Sequence, residues 1–292
     1  MNAQLVLTQL FNGLILGSIY VLLSLGLSII FGMLGVINFA HGAFYMLGAY
    51  VAYTIVTYVF PNFWLALFLA PIIMALFGAA CEFFLLRRLY KLPIIYNVLF
   101  TFGLMLVFQD SMRMIFGSMG VPFNTPESLV GAVNLGFTYY PTYRLFMIIV
   151  TALCSLGVWL FLTRTRLGAI IRAGTDNSAM VDALGINISR IFTLVFALGI
   201  GLAGLAGVLA APIQNVTHLM GMDFLIDCFV VVVIGGMGSI AGSIIGGLIV
   251  GQIIAAGIII WPPIANTLIY LFMATFLLIR PRGLFGREGF HE

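Results

Sequence analysis

Apolar residues run along this chain in long, nearly unbroken stretches separated by short polar interruptions. A stretch such as "IVTALCSLGVWLFL" is apolar all round, whereas a membrane β-strand alternates apolar and polar positions over ~10 residues. The stretches therefore predict α-helices, each satisfying its own backbone hydrogen bonds. At ~20 apolar residues per bilayer crossing, they supply about eight to ten spans in one membrane domain covering 1–292. The spans fall near 5–30, 42–60, 63–86, 94–115, 145–162, 191–211 and 264–279, while 223–260 is too long for one crossing and is cut in two by "GGMGS". Nine crossings result; eight or ten fit if a broken segment re-enters. Between the fourth and fifth spans, 116–144 is rich in Gly, Pro and Asn, which predicts a largely non-helical loop.

Composition agrees with this all-α, polytopic membrane class. Hydrophobic residues make up 63 % of the chain and charged ones 7 %, where a soluble domain carries about a quarter charged. The few basic residues set the orientation. None precedes Arg87, so the start lacks the basic region of a secretory signal peptide. They then gather in "RRLYK" at 87–91, in 164–190 and in the tail "RPRGLFGR" from Arg280. The positive-inside rule puts all three in the cytoplasm, leaving the N-terminus and only Arg113 and Arg144 outside. The net charge of +3 is thus a topology signal and offers no basic face for nucleic acid. Cys81, Cys154 and Cys228 lie in apolar spans and are odd in number, which implies no disulfide framework. Trp64 and Trp261 fall at outer span ends and Trp159 at an inner one, as aromatic belts do.

Two interruptions stand apart from the ordinary loops: "INFAHGAFYMLG" after the first span and "GGMGSIAGSIIGG" after the seventh. Aligning Gly42 with Gly242 suggests an internal repeat, a frequent way to build transporters. A broken helix leaves backbone groups without intrahelical partners, and a bilayer tolerates these only where protein covers them or a watery cavity receives them. Asn38, His41, Gly42, Gly235, Gly236, Gly238 and Gly242 are therefore candidates for lining a pathway. Helix packing through small residues accounts equally for glycines such as Gly32, Gly35, Gly42 and Gly48. Asn38 could instead cap the helix starting near Ala40. No acidic or second histidine partner lies near His41 in sequence, so a metal site or proton relay has little support.

The basic loop 164–190 contains "TDNSAMVDALGI", with Thr175, Asp176 or Asn177 as N-cap and Gly185 as stop. This predicts a short helix lying across the cytoplasmic face. Its arginines could meet anionic lipid, or the helix could dock a soluble partner.

The segments "INFAHGAFYMLGAY", "RAGTDNSAMVDALGI", "GGMGSIAGS" and "RPRGLFG" occur in an order and spacing that resembles the permeases of branched-chain amino acid ABC importers, across nearly the whole chain. The resemblance implies a permease that forms half of a pathway with a sister subunit, as a heterodimer. It further implies two ABC ATPase subunits and an extracytoplasmic substrate-binding protein, in the cytoplasmic membrane of a bacterium or archaeon. It also implies that the loop is the coupling helix seated in an ATPase groove, which assigns Asp176, Ala179, Asp182, Ala183 and Gly185 to coupling. Consistently, no G-x-x-x-x-G-K-[ST] phosphate loop occurs, so ATP is expected on partner subunits and no cofactor or metal on this chain.

Of the remaining charges, Asp110 and Arg113 are spaced to pair on one helix face, and Arg113 with Arg144 could meet acidic residues of a docking binding protein. Asp223 and Asp227 suit a helix N-terminus or could attract a substrate ammonium. Glu82 is expected to be neutralised by Arg87. The expected function is import of branched-chain or similar aliphatic amino acids. Urea, short amides or sugars are alternative cargoes for the same machinery. A membrane-embedded enzyme using His41 with Asp110 or Glu82, and a stand-alone channel, are rivals of other classes.

Overall fold

The computed structural model describes residues 3–136 and 138–286. Among these, helices dominate: α1 (Ala3–Leu34), α2 (His41–Thr54), α3 (Phe63–Phe84), α4 (Ile94–Phe116), α5 (Thr142–Arg164), α6 (Arg166–Ala183), α7 (Ile188–Ala210), α8 (Met220–Gly235), α9 (Ile240–Ile260) and α10 (Ala265–Ile279). Eight helical segments are long and apolar enough to cross a membrane. The helices outside that set are α6, which is polar and kinked at Asn177, and α8, with 16 residues.

Contacts fix the direction of each pass. Asn12, near the start of α1, accepts hydrogen bonds from Tyr140 and Arg144, beside the small antiparallel hairpin of β1 (Ala132–Asn134) and β2 (Tyr139–Pro141). The last turn of α1 lies against Gly238 and Thr175, among the segments that carry most arginines. We call these the hairpin end and the basic end. At the basic end Arg87 donates to the Ser189 carbonyl near the start of α7, while near the far end of α7 the Leu209 carbonyl accepts from Tyr143. α9 begins beside Ser28, whose hydroxyl donates to the Ser239 carbonyl, and later places Gln252 against the Leu10 carbonyl.

Since α7 and α9 both run from the basic end to the hairpin end, α8 must return between them. Its 16 residues span ~24 Å, short of the ~30 Å hydrocarbon layer. The turns on either side, 211–219 and 236–239, cover the remainder, and the first is tied down by a bridge between Val121 and Val216. Nine passes result among the described residues, within the eight to ten that the hydrophobic pattern predicts. The series α1, α2, α3 and the series α8, α9, α10 run in the same order of directions.

The core gathers around α1, which packs against α9, α7, α5 and α8. Leu22, Leu23, Leu25, Leu27 and Ile30 are buried on all sides of it, so a helix without an apolar stripe is here a helix surrounded by protein. By contrast α3, α4, α5 and α10 expose Phe68, Leu76, Leu99, Leu153 and Leu271, faces suited to lipid. The loop 116–144 is mostly non-helical, as its composition predicts, with one short 3-10 turn and the hairpin.

α6 differs from expectation in extent. It starts at Arg166, where the Thr165 hydroxyl accepts the Gly168 N–H at 3.0 Å, well before the predicted cap. A second helical piece begins at the kink, where Asn177 Oδ1 accepts the Met180 N–H at 2.9 Å. Of the three residues proposed as cap, Asn177 takes that role. Gly185 then stops the helix in a left-handed conformation, φ 83°.

Candidate functional site

The first break begins where α1 ends at Leu34. Gly35 turns the chain with φ 64°, and α2 starts only at His41. His41 is fully buried, and its Nε2–H donates to the Leu23 carbonyl at 2.9 Å. Leu23 lies eleven residues before the end of α1, ~16 Å back along it. Residues 35–40 therefore fold back from the basic end into the interior, and α2 begins near the middle of the bundle. The freed backbone groups are partly met: Thr101 Oγ1 accepts the Phe39 N–H at 3.2 Å, and the Asn38 carbonyl accepts the His41 N–H at 3.2 Å.

The Asn38 side chain does not cap α2, whose N-cap, Ala40, lacks any side-chain bond. Asn38 is fully buried, and both polar atoms of its amide lack hydrogen-bond partners among the described residues, as does His41 Nδ1. Gly42, in the first turn of α2, sits so close to Gly221 of α8 that a Cβ would overlap the Gly221 carbonyl. For Gly42, close packing alone thus demands glycine.

The second break lies elsewhere. Gly235 ends α8; Gly236 and Gly238 have φ of 98° and 80°, which L side chains rarely adopt. Ser239 caps α9, its hydroxyl accepting the Gly242 N–H at 3.1 Å. The backbones of Gly235 and Gly242 touch. The tail closes over this turn, Leu284 N–H donating to the Ile234 carbonyl at 2.8 Å and Phe285 N–H to Gly235 at 3.0 Å. The second break is therefore at the basic end, while the first climbs to mid-bundle. Gly42 and Gly242 pack on opposite ends of α8, and the last turn of α1 lies between the two breaks, where Gly32 rests against Gly238.

That junction also receives α6. Thr175 and Gly174 pack on Met33, and Ser28, Gly32, Arg172, Thr175, Gly238 and Ser239 border a cavity of about 180 Å³. Asp176, just before the kink, and Ala179, Asp182, Ala183 and Gly185 beyond it are all exposed. So are Met180, 61 %, and Leu184, 74 %, apolar side chains one turn apart that the sequence reading passed over. Their signal was available: two large apolar residues at i, i+4 on a segment too short and polar to span.

At the hairpin end, Arg113 pairs with Asp110 at 2.9 Å on an exposed face, as the spacing predicts. Arg144 donates to Asn12 Oδ1 at 3.1 Å, and the burial of Tyr140 beside it raises that phenol's pKa. At the basic end, Glu82 is fully buried and pairs with Arg87 at 3.0 Å, as expected, with Thr193 and Tyr90 also donating to it. Burial, and then the Glu82 carboxylate, push the Tyr90 phenol well above its ordinary range. His41, Glu82 and Asp110 thus occupy three separate environments and share no site.

Asp223 lies in the first turn of α8, as a residue favoured by the helix dipole would. Asp227 does something else. Its two carboxylate oxygens accept from Tyr20 of α1 at 2.7 Å and Tyr270 of α10 at 3.1 Å. Sequence reading missed both tyrosines because they lie 207 and 43 positions from Asp227 and nothing local links them.

The family described as "Branched-chain amino acid transport system / permease component" matches residues 9–279. The chain is 32 % identical to the high-affinity branched-chain amino acid transport system permease protein BraD of Pseudomonas aeruginosa, covering 96 % of each. It is 31 % identical to the corresponding permease protein LivH of Salmonella typhimurium, again over 96 % of each. A more distant similarity, 28 % identity over 76 % of this chain and 57 % of the other, links it to the permease protein LivM of the same organism. No solved structure matches the chain significantly.

Proposed function

The chain belongs to the permease components of branched-chain amino acid transport systems, and on that premise we propose that it forms half of a membrane pathway for branched-chain or similar aliphatic amino acids. It is a multi-pass, non-catalytic subunit of an ABC importer. The other half would be a sister permease of the LivM kind, with two ATPase subunits at the basic end and a substrate-binding protein at the hairpin end. The basic end then faces the cytoplasm, in keeping with the positive-inside rule.

The observation that carries this reading is the course of 35–40. Non-helical chain runs into the interior of the bundle, with the Asn38 amide buried and without a hydrogen-bond partner among the described residues. An unpaired buried amide costs ~1–3 kcal/mol, and in a bilayer such groups persist where a watery route receives them. The neighbouring walls are apolar: Phe39 packs against Phe102 and Phe229. A route of this kind holds an aliphatic side chain weakly, which leaves selection to the binding protein.

The basic end supports the coupling role. Met180 and Leu184 form an apolar step on the projecting piece of α6, a shape that suits insertion into a groove of an ATPase subunit. Behind that step, α6 bears on Met33 and Thr175 meets the last turn of α1, which itself touches the second break. Closure of the ATPases would then shift α6, α1 and the Gly236–Gly238 turn together and rock the two permeases between outward-open and inward-open states.

The test is reconstitution. Leucine uptake into vesicles should require this chain, a sister permease, both ATPases, the binding protein and ATP together. Uptake by this chain alone would mark a channel instead, and an assembly that moves urea or sugars but no amino acid would replace the cargo.

A further inference from the structure

We infer that Asp223 and Asp227 of α8, with the hydroxyl of Tyr45 on α2, form a subsite for the primary ammonium group of a zwitterionic amino acid; the inference rests on the reading of the chain as an amino acid permease.

Two carboxylates stand four residues apart, on one side of α8, in a span. Ionisable groups in such positions ordinarily pair with opposite charge or line a solute route. Among the described residues Glu82 pairs with Arg87 and Asp110 with Arg113, whereas neither Asp223 nor Asp227 pairs with a basic side chain. Asp227 is held by Tyr20 and Tyr270, one from each side. Both donate to it, which orients the carboxylate and supports its charge. Asp223, one helical turn nearer the hairpin end, is exposed and accepts no hydrogen bond from the described side chains.

Tyr45 supplies the independent sign of a ligand. The residue is fully buried, its hydroxyl lacks a hydrogen-bond partner among the described residues, and it shares the Phe224 ring with Tyr20, the donor to Asp227. Its ring packs on Phe224, between the two acids in sequence, at 5.4 Å. An ammonium group has three N–H donors, and the two carboxylates with the Tyr45 oxygen offer three acceptors. The charge also fits, since a bound cation offsets part of the paired negative charge.

The location agrees with traffic toward the first break. Tyr45 sits one turn beyond His41 on the helix that the break launches, and α2 meets α8 where Gly42 packs on Gly221 and Leu225. Tyr20, on α1, lies three residues before Leu23, the residue that receives His41. An amino acid held here by its ammonium has its remaining groups free to reach the non-helical chain at 35–40.

The complete importer in proteoliposomes, given saturating leucine-loaded binding protein, tests this through leucine moved per ATP hydrolysed. Asp223→Asn and Asp227→Asn should each lower that ratio about tenfold by removing a charge-assisted bond, and Asp223→Glu should recover most of it. Tyr45→Phe should cut uptake several-fold while the melting temperature of the assembly stays level or rises, because it deletes an unpaired buried hydroxyl. A wild-type ratio in the double variant Asp223→Asn with Asp227→Asn would overturn the subsite. So would loss of the sister subunit on purification of Asp223→Asn, which would assign the acids to an ion pair between permeases. If the unaltered importer moves no leucine, the amino acid cargo itself falls and the subsite with it, an outcome separable from both.

Discussion

Asn38 and Gly42 belong to the same short motif, and the structure gives them opposite duties. Gly42 is held by packing: its backbone lies on Gly221, and adding even a methyl group there forces the two helices apart, at ~1–3 kcal/mol or more. Gly42→Ala should therefore lower the melting temperature of the purified assembly together with uptake, and normal thermal stability in that variant would refute the close contact. The Asn38 side-chain amide has no hydrogen-bond partner among the described residues. Asn38→Leu should leave stability unchanged or improved while uptake falls, measured on one preparation. Glu82 is a third case, buried and serving Arg87, Thr193 and Tyr90. Removing one partner of a buried pair costs ~3–5 kcal/mol, so Glu82→Ala should reduce folded yield far more than Asp110→Ala, whose carboxylate is half exposed. The pairings of Glu82 and Asp110 were legible because their partners are near in sequence. The partners of His41, Leu23, and of Asp227, Tyr20 and Tyr270, were not, since only tertiary folding brings them together.

Elements were legible where one physical signal dominates. A run of ~20 apolar residues has one solution in a bilayer, and the ends of α3, α4, α5 and α7 fall within a few residues of the runs that predict them. Two elements resisted. The first break reads as an opened helix beside a pathway, but the distant group that meets its backbone, Thr101 of α4, does not show in the sequence. α6 reads as a short helix, whereas the capping hydroxyl of Thr165 starts it more than two turns earlier. Its projecting piece carries a direct prediction. Leu184→Asp or Met180→Asp should leave the permease in the membrane but abolish stimulation of ATP hydrolysis by loaded binding protein. Gly185→Val, placed at φ 83°, should do the same by straining the stop at ~1–2 kcal/mol. Unchanged coupling in all three would remove α6 from the drive train.

At the scale of the molecule, nine passes among the described residues start α1 and finish α10 at opposite ends of the bundle, and the proposed orientation places the arginine-rich end in the cytoplasm. The orientation has its own check: a cysteine at exposed Met119 should react with an impermeant thiol reagent from outside intact cells, and one at Gly185 only after the cells are opened. The account as a whole depends on unwound chain at mid-bundle bordering a route that an ATP-driven partner opens and closes. The most direct measurement replaces Cys81, Cys154 and Cys228, introduces Asn38→Cys into the complete importer, and follows its reaction with a small charged thiol reagent in nucleotide-free and ATP-trapped states. The account predicts labelling whose rate changes several-fold between the two states. Failure to label in either, while Met119→Cys in the same preparation reacts readily, would contradict it.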